Sequence, residues 1–492
     1  MKKIKDINWW VWIGFICLVF FLTMQSVNSP ISRNYAFSDY SVYQYVASIM
    51  CEGGMPYRDT FDHKGPVFYL INALGYVIHP KYGMWMIDFL LMFGTAVYAY
   101  KLSHKVLNAK MSFFITVVAL SGISAWGYWI GDTPESVILF FLMLIMYLFV
   151  EYIDCQSLTS KQLLAVGFSC AIAFLMKPTF LAMAAVLILE ILYEVIKRKN
   201  YIFLKKCLIL FSVPFFGLIV GTVAWLTING ALTECIDQYL IFNAKYSSVK
   251  RGIADSLNAL YVFVEKPTTL FGLFCIWINF MRWNEYTDKD RRLLLSTYLA
   301  WALVFYVSVM PGRAYQQYTV VFYPMLVVIV TFAFKDIERL FQGDRYKRVV
   351  GMMVLILVTF NIFLPNARET VANIRNYTAE TGAKVQVVNY FNDSPGEYEI
   401  SVVSPDDTWV YLQTGHHSAT KYAYTQADLI YENVKTDFIK EYSRQINEKR
   451  PRFIVESCRS NLYTNKIVGS IANKYDEVFR NDGYAIYELN GN

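Results

Sequence analysis

Charge is scarce in this sequence: 17% of its 492 residues are Asp, Glu, Lys or Arg, against 55% hydrophobic residues. Soluble globular chains carry about 25% charged residues, so an ordinary water-facing surface cannot be assembled from this composition. Histidine is scarcer still, with five residues, and the eight cysteines stand singly at 17, 51, 155, 170, 207, 235, 275 and 458. With no CxxC pair and no Cys/His cluster of zinc spacing, no Cys-rich metal centre is suggested. No solenoid-length repeat recurs. The formal net charge is +6, and its distribution matters more than its size. The Lys and Arg residues gather in short loops between apolar runs, the pattern of cytoplasmic loops rather than of a nucleic-acid surface, so no nucleic-acid partner is expected.

What the chain has in quantity is apolar and aromatic surface: 37 Tyr, 36 Phe and 11 Trp. A span needs roughly 20 mainly apolar residues, and about eleven stretches qualify, some short or interrupted. They begin near residues 9, 84, 112, 136, 162, 178, 207, 267, 293, 317 and 349. The fold class is therefore a polytopic α-helical membrane protein with about eleven transmembrane helices and a small extracytoplasmic α/β C-terminal domain.

Orientation follows from the basic residues. The first run comes after Lys2, Lys3 and Lys5 and lacks a small-residue cleavage site before Asn28-Ser29-Pro30, which reads as an uncleaved helix with a cytoplasmic N-terminus. Threading from there places Lys101, Lys105 and Lys110, then Lys197, Arg198, Lys199, Lys205 and Lys206, then Arg282, Lys289, Arg291 and Arg292 all inside. Lys335, Arg339, Arg345, Lys347 and Arg348 follow on the same side. Counting Pro66 to Ile78 as a span would split these clusters between two faces, so that run is an interfacial helix on the outer surface.

Residues 1–365 then form the membrane module, with 27–83 as a long first outer loop carrying interfacial helices, and residues 366–492 form the extracytoplasmic domain. Strand-like runs fall at Ile400 to Val403, Thr408 to Leu412, Arg452 to Glu456 and Gly483 to Leu489, and a helical period spans Ala427 to Glu448. In this topology Cys51, Cys235 and Cys458 face outside, which leaves a disulfide among them open.

The first outer loop concentrates reactive side chains: Phe37-Ser38-Asp39-Tyr40, Gly53-Gly54-Met55-Pro56-Tyr57-Arg58-Asp59, and Phe61-Asp62-His63-Lys64-Gly65-Pro66. Sugar transfer from a phosphate leaving group needs a carboxylate to take the acceptor proton and cations to hold the departing phosphate. Asp39 and Lys64 offer both. The plainer alternative makes Asp39 a helix cap and Lys64 a snorkelling side chain. Asp132 and Glu135, in Gly131-Asp132-Thr133-Pro134-Glu135, suit either a second acidic element or a helix start. Lys177 before Pro178 suits a phosphate contact or a snorkelling role. Arg313, in Pro311-Gly312-Arg313-Ala314-Tyr315, can grip a phosphate through two nitrogens or anchor at the interface. The His416-His417 pair reads as surface loop.

These residues carry a resemblance. Asp39-Tyr40-Ser41-Val42-Tyr43, then Pro56-Tyr57 with Asp59, then His63-Lys64-Gly65-Pro66 ahead of an interfacial helix resemble the first outer loop of the GT-C glycosyltransferases. The similarity is to the protein O-mannosyltransferase and aminoarabinose transferase branch, glycosyltransferase family 39. It implies that Asp39 is the catalytic carboxylate and that Lys64 acts near the donor phosphate, with Arg313 and Lys177 as further candidates for donor-phosphate binding. Tyr43, Asp59, Asp62, His63, Asp132 and Glu135 are candidate substrate or metal contacts, and a divalent metal ion is the candidate cofactor. Tyr40 and Val42 stand where many relatives have an acidic residue and an Arg, and His63 stands where some have Glu.

The resemblance implies a polyprenyl-phosphate sugar donor, contact with membrane lipid, and a glycan, lipid or protein acceptor outside the cytoplasm, with a bacterial cell-surface polysaccharide as the first expectation. The alternatives are a lipid-linked sugar transporter or flippase, or a non-catalytic subunit of a glycan assembly complex. Paired repeats and midplane ionisable residues, the usual marks of a transporter, are not evident in the sequence.

Overall fold

A computed structural model describes residues 8–26, 28–32, 39–127, 131–248, 252–265, 267–309, 315–335, 364–368, 370–371, 379–394, 396–404, 407–425, 438–457 and 472–491. In chain order the helices are α1 (Trp9–Thr23), α2 (Asp39–Cys51), α3 (Pro66–Ile78), α4 (Gly83–His104), α5 (Ala109–Gly127), α6 (Pro134–Cys155), α7 (Ser160–Met176) and α8 (Leu181–Lys197). They continue with α9 (Tyr201–Ile228), α10 (Leu232–Cys235), α11 (Asn243–Ser248), α12 (Ile253–Val264), α13 (Pro267–Met281), α14 (Asp288–Val309) and α15 (Tyr323–Ala333). Ten of the eleven expected spans coincide with helices, and the run from 349 lies outside the described residues. By length and composition five helices can cross a membrane, or up to six if the bent pair α12 and α13 is one span. Several of the others, α1, α7 and α15 among them, are apolar but shorter.

The chain divides into two compact units. The first comprises residues 1–26, 85–221 and 251–372. Its centre is α15, whose eleven residues are all buried, as expected of a helix that is apolar all round. It packs on α5, α6, α13 and α14, while α8 packs on α14 and α6. By contrast α9 leaves Ile202, Val213, Phe216 and Val220 exposed, an apolar surface that suits lipid. At the end of the bundle where α4, α6, α8 and α13 finish, basic residues meet acidic ones. Lys105 Nζ lies 2.7 Å from Glu151, Arg292 pairs with Glu190 and Glu194, and Lys335 Nζ lies 2.8 Å from Asp290. These are the clusters assigned to the cytoplasmic side from sequence.

The second unit comprises residues 27–84, 222–250 and 373–492. It joins the first outer loop to the C-terminal segment, a different grouping from a division at residue 365. Its sheet contains β1 (Ile400–Val403), β2 (Phe453–Ser457), β3 (Tyr475–Arg480) and β4 (Tyr484–Leu489), in the order β1-β2-β4-β3. β1 runs parallel to β2, and the other pairs are antiparallel, with Val402 opposite Val455 and Val455 opposite Ile486. Every residue of β1 and β2 is buried, so both faces of these strands must be covered. Because alternate side chains point to opposite faces, two clusters result. Ile400, Val402, Phe453, Val455 and Ile486 pack with α16 (Ala379–Asn392), α17 (Trp409–Thr414) and Tyr45 of α2. Val403 and Ile454 pack with Tyr442 and Ile446 of α18 (Phe438–Lys449) and with Phe61 and Phe242.

One sequence expectation changes here, and one strand is added. Thr408 to Leu412 is not a strand: Trp409, Val410 and Tyr411 belong to α17, all buried. Asp407 accepts the Trp409 indole N–H at 2.7 Å, and Gly415, at φ 70°, ends the helix. A short β-prone run has been overridden by what it packs against. β3, with three exposed residues in succession, lacks the alternation that reveals a strand. Within Ala427 to Glu448, the part before residue 438 lies outside the described residues, and the rest is α18.

α2 and α3 form a helical hairpin. α3 has the bounds read from sequence, with Pro66 in its first turn and His79-Pro80 beyond its end. Gly83 is required at the start of α4, because a Cβ there would lie 1.8 Å from the carbonyl oxygen of Gly75. The described cysteines are free thiols; Cys51 is exposed and Cys235 buried.

Candidate active site

The second unit holds Asp39, Tyr43, Asp59, Asp62, His63 and Lys64. Asp39 opens α2, and one turn later Tyr43 donates its hydroxyl to Asp39 Oδ2 at 3.2 Å, the i,i+4 geometry of one helix face. The Tyr43 ring is buried edge-on against Phe68 of α3 at 4.7 Å. Lys64 Nζ lies 5.3 Å from the centre of that ring, within cation–π range. Tyr43 thus links the carboxylate of Asp39 to the ammonium of Lys64.

Lys64 is held at both backbone atoms. Its N–H donates to Tyr69 Oη at 3.0 Å, and its carbonyl accepts from Tyr57 Oη at 2.7 Å. Tyr57 has a left-handed backbone, φ 68°, in the turn closed by Asp59. Asp59 accepts the Met55 N–H at 2.7 Å and pairs through both oxygens with Arg58. Gln238 donates to the Tyr57 carbonyl and Asn243 to the His63 carbonyl, at 2.7 and 2.6 Å. The segment after α9 therefore buttresses the loop.

Asp62 is almost fully buried, with both oxygens committed. Tyr69 Oη donates to Oδ2 at 2.6 Å, while Tyr424 Oη and the His63 N–H donate to Oδ1 at 3.0 and 2.7 Å. Lys64 Nζ and His63 Nδ1 lie 3.8 and 3.4 Å from Oδ1. Burial works against this charge, but Lys64, His63 and the Tyr69 hydroxyl outweigh it and hold the carboxyl below its usual range. Burial, and then the charge on Asp62, pushes the Tyr69 phenol well up, so it stays a donor.

The first unit holds a separate constellation. Asp132 and Glu135 are buried, and Thr133 caps α6 in a capping box closed by Ser136, which is the helix-start role read as one alternative. Glu135 Oε1 meets Lys177 Nζ at 3.0 Å, and that ammonium sits 4.0 Å from the Tyr318 ring centre. Asp88, a buried carboxylate inside α4, accepts the Asp132 N–H at 2.6 Å. Gly131 (φ 102°) and Asp132 (φ 47°) are both left-handed, and a Cβ on Gly131 would come within 3.0 Å of Ser26 Oγ and Asp88 Oδ2. Asp88 and Tyr318 were missed from sequence, although an Asp inside an apolar run is itself a functional signal.

Arg313 lies outside the described residues. His416 is half-buried with its ring 4.3 Å from Tyr398, and His417 is exposed with Nε2 3.3 Å from Glu52, so the pair has partners. Among the described residues no three His, Cys, Asp or Glu side chains converge as metal ligands. Asp62 has its lone pairs engaged by hydroxyls and a backbone N–H. The described residues therefore do not offer a ligand set for a metal ion.

The fold is similar to that of ArnT from Cupriavidus metallidurans bound to undecaprenyl phosphate, with TM-score 0.64 and 12% identity over 97% of each chain. It is also similar to the same protein in the apo state, with TM-score 0.62 and 11% identity over 97% of this chain and 96% of that one. At such identity the likeness shows the fold alone, an ArnT-like arrangement of apolar helices with a small C-terminal sheet, that of a multi-pass membrane protein. Residues 5–367 match the family described as "Putative competence-induced protein Ccs4 N-terminal domain", and the chain belongs to that family. No curated protein matches it.

Proposed function

We propose that this protein is a membrane glycosyltransferase that moves a sugar from a polyprenyl-phosphate carrier to an acceptor outside the cytoplasm, a cell-surface polysaccharide or another cell-envelope glycan. The observation that carries the reading is the placement of Asp39 and Lys64 on the two sides of Tyr43. Transfer from a phosphate needs a base for the incoming hydroxyl and positive charge for the departing phosphate. Asp39 takes the acceptor proton, the hydroxyl oxygen forms the new glycosidic bond at the anomeric carbon, and the sugar–phosphate bond breaks with its electron pair leaving on the carrier phosphate. Lys64 stabilises the charge that develops there. A single displacement inverts the anomeric configuration. The GT-C fold, and a neighbour of that fold bound to undecaprenyl phosphate, support the choice of carrier.

The test is sugar transfer by purified protein in lipid vesicles, from a labelled polyprenyl-phosphate sugar to a panel of envelope glycans. Asp39→Asn keeps the shape of the side chain and removes its basicity, so turnover should fall by about 10²- to 10⁴-fold, the usual worth of a general base. Lys64→Met should weaken binding of the carrier phosphate. Full turnover by the Asn variant would end the role given to Asp39.

A further inference from the structure

Lys64 and Lys177 are cations of the candidate set that the described residues place, and they are held in different ways. Lys177 meets a carboxylate at 3.0 Å, which cancels much of its charge. Lys64 Nζ instead lies 3.3 Å from the imidazole Nε2 of His63, with Asp62 Oδ1 further off at 3.8 Å. An ammonium has donors and no acceptor, so Nε2 must turn its lone pair toward Lys64, and the ring proton of a neutral imidazole then sits on Nδ1. Nδ1 lies 3.4 Å from Asp62 Oδ1 and, buried, makes no hydrogen bond there, so the contact that matters is the one between Nε2 and Lys64.

The surroundings hold the imidazole and its neighbours in place. Asp62 is anchored by Tyr69 from α3 and by Tyr424 from the C-terminal segment. Phe242 lies 5.3 Å from the imidazole ring centre, and Asn243 holds the His63 carbonyl. The charge of Asp62 is spread over two hydroxyls and a backbone N–H, whereas His63 presents a neutral acceptor at closer range.

We infer that His63 is a positioning residue for the proposed transfer: its Nε2, as a neutral acceptor, holds the Lys64 ammonium in place toward the donor phosphate without adding a second negative charge to that of Asp62. The inference rests on the reading of Lys64 as the phosphate contact. A carboxylate at position 63 would fix the ammonium as firmly and neutralise it. An aliphatic side chain would leave a flexible four-carbon stem to find the phosphate unaided.

The experiment measures binding of farnesyl phosphate to the full-length protein in lipid nanodiscs, with thermal midpoints recorded alongside. His63→Gln, which keeps a neutral acceptor, should bind within about twofold of wild type. His63→Leu should bind about three- to tenfold more weakly, and His63→Glu at least tenfold more weakly, because added negative charge at contact distance opposes an anion. If the Leu variant melts early, the Gln and Glu variants decide the matter, since both keep a polar acceptor. Wild-type affinity in the Glu variant, or affinity in the Gln variant as poor as in the Leu variant, overturns the inference while leaving Lys64 its role. Unchanged affinity in Lys64→Met, or no binding by the wild type, overturns the phosphate reading itself and this inference with it.

Discussion

At the scale of single residues, Asp62 shows how a buried charge can be made stable. A carboxylate removed from water is costly unless hydrogen-bonded and paired, and Asp62 has two phenols, a backbone N–H and two neighbouring cationic or protonatable groups. Its folded-state pKa is depressed, so the sign follows directly. The stabilisation is present above the unfolded carboxylate pKa, about 3.9, and is lost as pH falls through the lower folded value. Thermal melts from neutral pH downward should therefore be flat, as far as this group is concerned, to about pH 4 and then fall. Asp62→Asn should remove that group's share of the decline and lower stability throughout by about 1–3 kcal/mol, the worth of disturbed buried hydrogen bonds. An Asn variant with the wild-type acid profile would show that Asp62 is not the group responsible. The sequence displayed Asp39, His63 and Lys64 as candidates because their neighbours form short motifs. It could not show Tyr424 reaching Asp62 across 362 residues, nor the bond between Asp88 and Asp132, because no local pattern encodes such pairings.

At the scale of elements, α3 was fully legible and α17 was not. The difference is physical. α3 has a proline at its start, a stop at His79-Pro80 and an apolar run of helical length, so its bounds are fixed locally. α17 is six residues long, too short for a period to declare itself, and it is helical because of what Trp409 and Tyr411 bury against. α3 also carries an exposed apolar stripe, Leu70, Leu74, Val77 and Ile78, on one helical face and shortly before the candidate span that begins at Gly83. Such a face suits the headgroup boundary. A bimane label on a cysteine at position 74 or 77 should be quenched strongly by brominated lipid, whereas a label at the buried Asn72 should be quenched little. Equal quenching at all three positions would remove the interfacial placement.

On the scale of the whole molecule, the alternation of apolar runs and basic loops was legible because the bilayer imposes one length and one charge rule on every span. The grouping of the first outer loop with the C-terminal segment was not legible. It depends on Tyr45 and Phe61 entering opposite faces of a sheet formed by residues 400–489, and amphipathic periodicity says which face is apolar, never which distant partner covers it. The paired basic end of the bundle makes a further expectation measurable. Alkaline phosphatase fused within the loops near residues 107, 158, 199 and 286 should be inactive, and fused after the last residue it should be active, as the positive-inside rule requires. Activity at the basic loops would reverse the orientation, and with it the side on which Asp39 would work.

The sheet has one more consequence, for the making of the protein. Tyr45 and Phe61 are synthesised among the first seventy or so residues, yet the strands that enclose them come after residue 400. Until the ribosome has released nearly the whole chain, the loop bearing Asp39 and Lys64 lacks the walls that shape it. The candidate site therefore matures last although its sequence emerges first, and a chain cut short before β1 would carry the candidate residues without the means to arrange them.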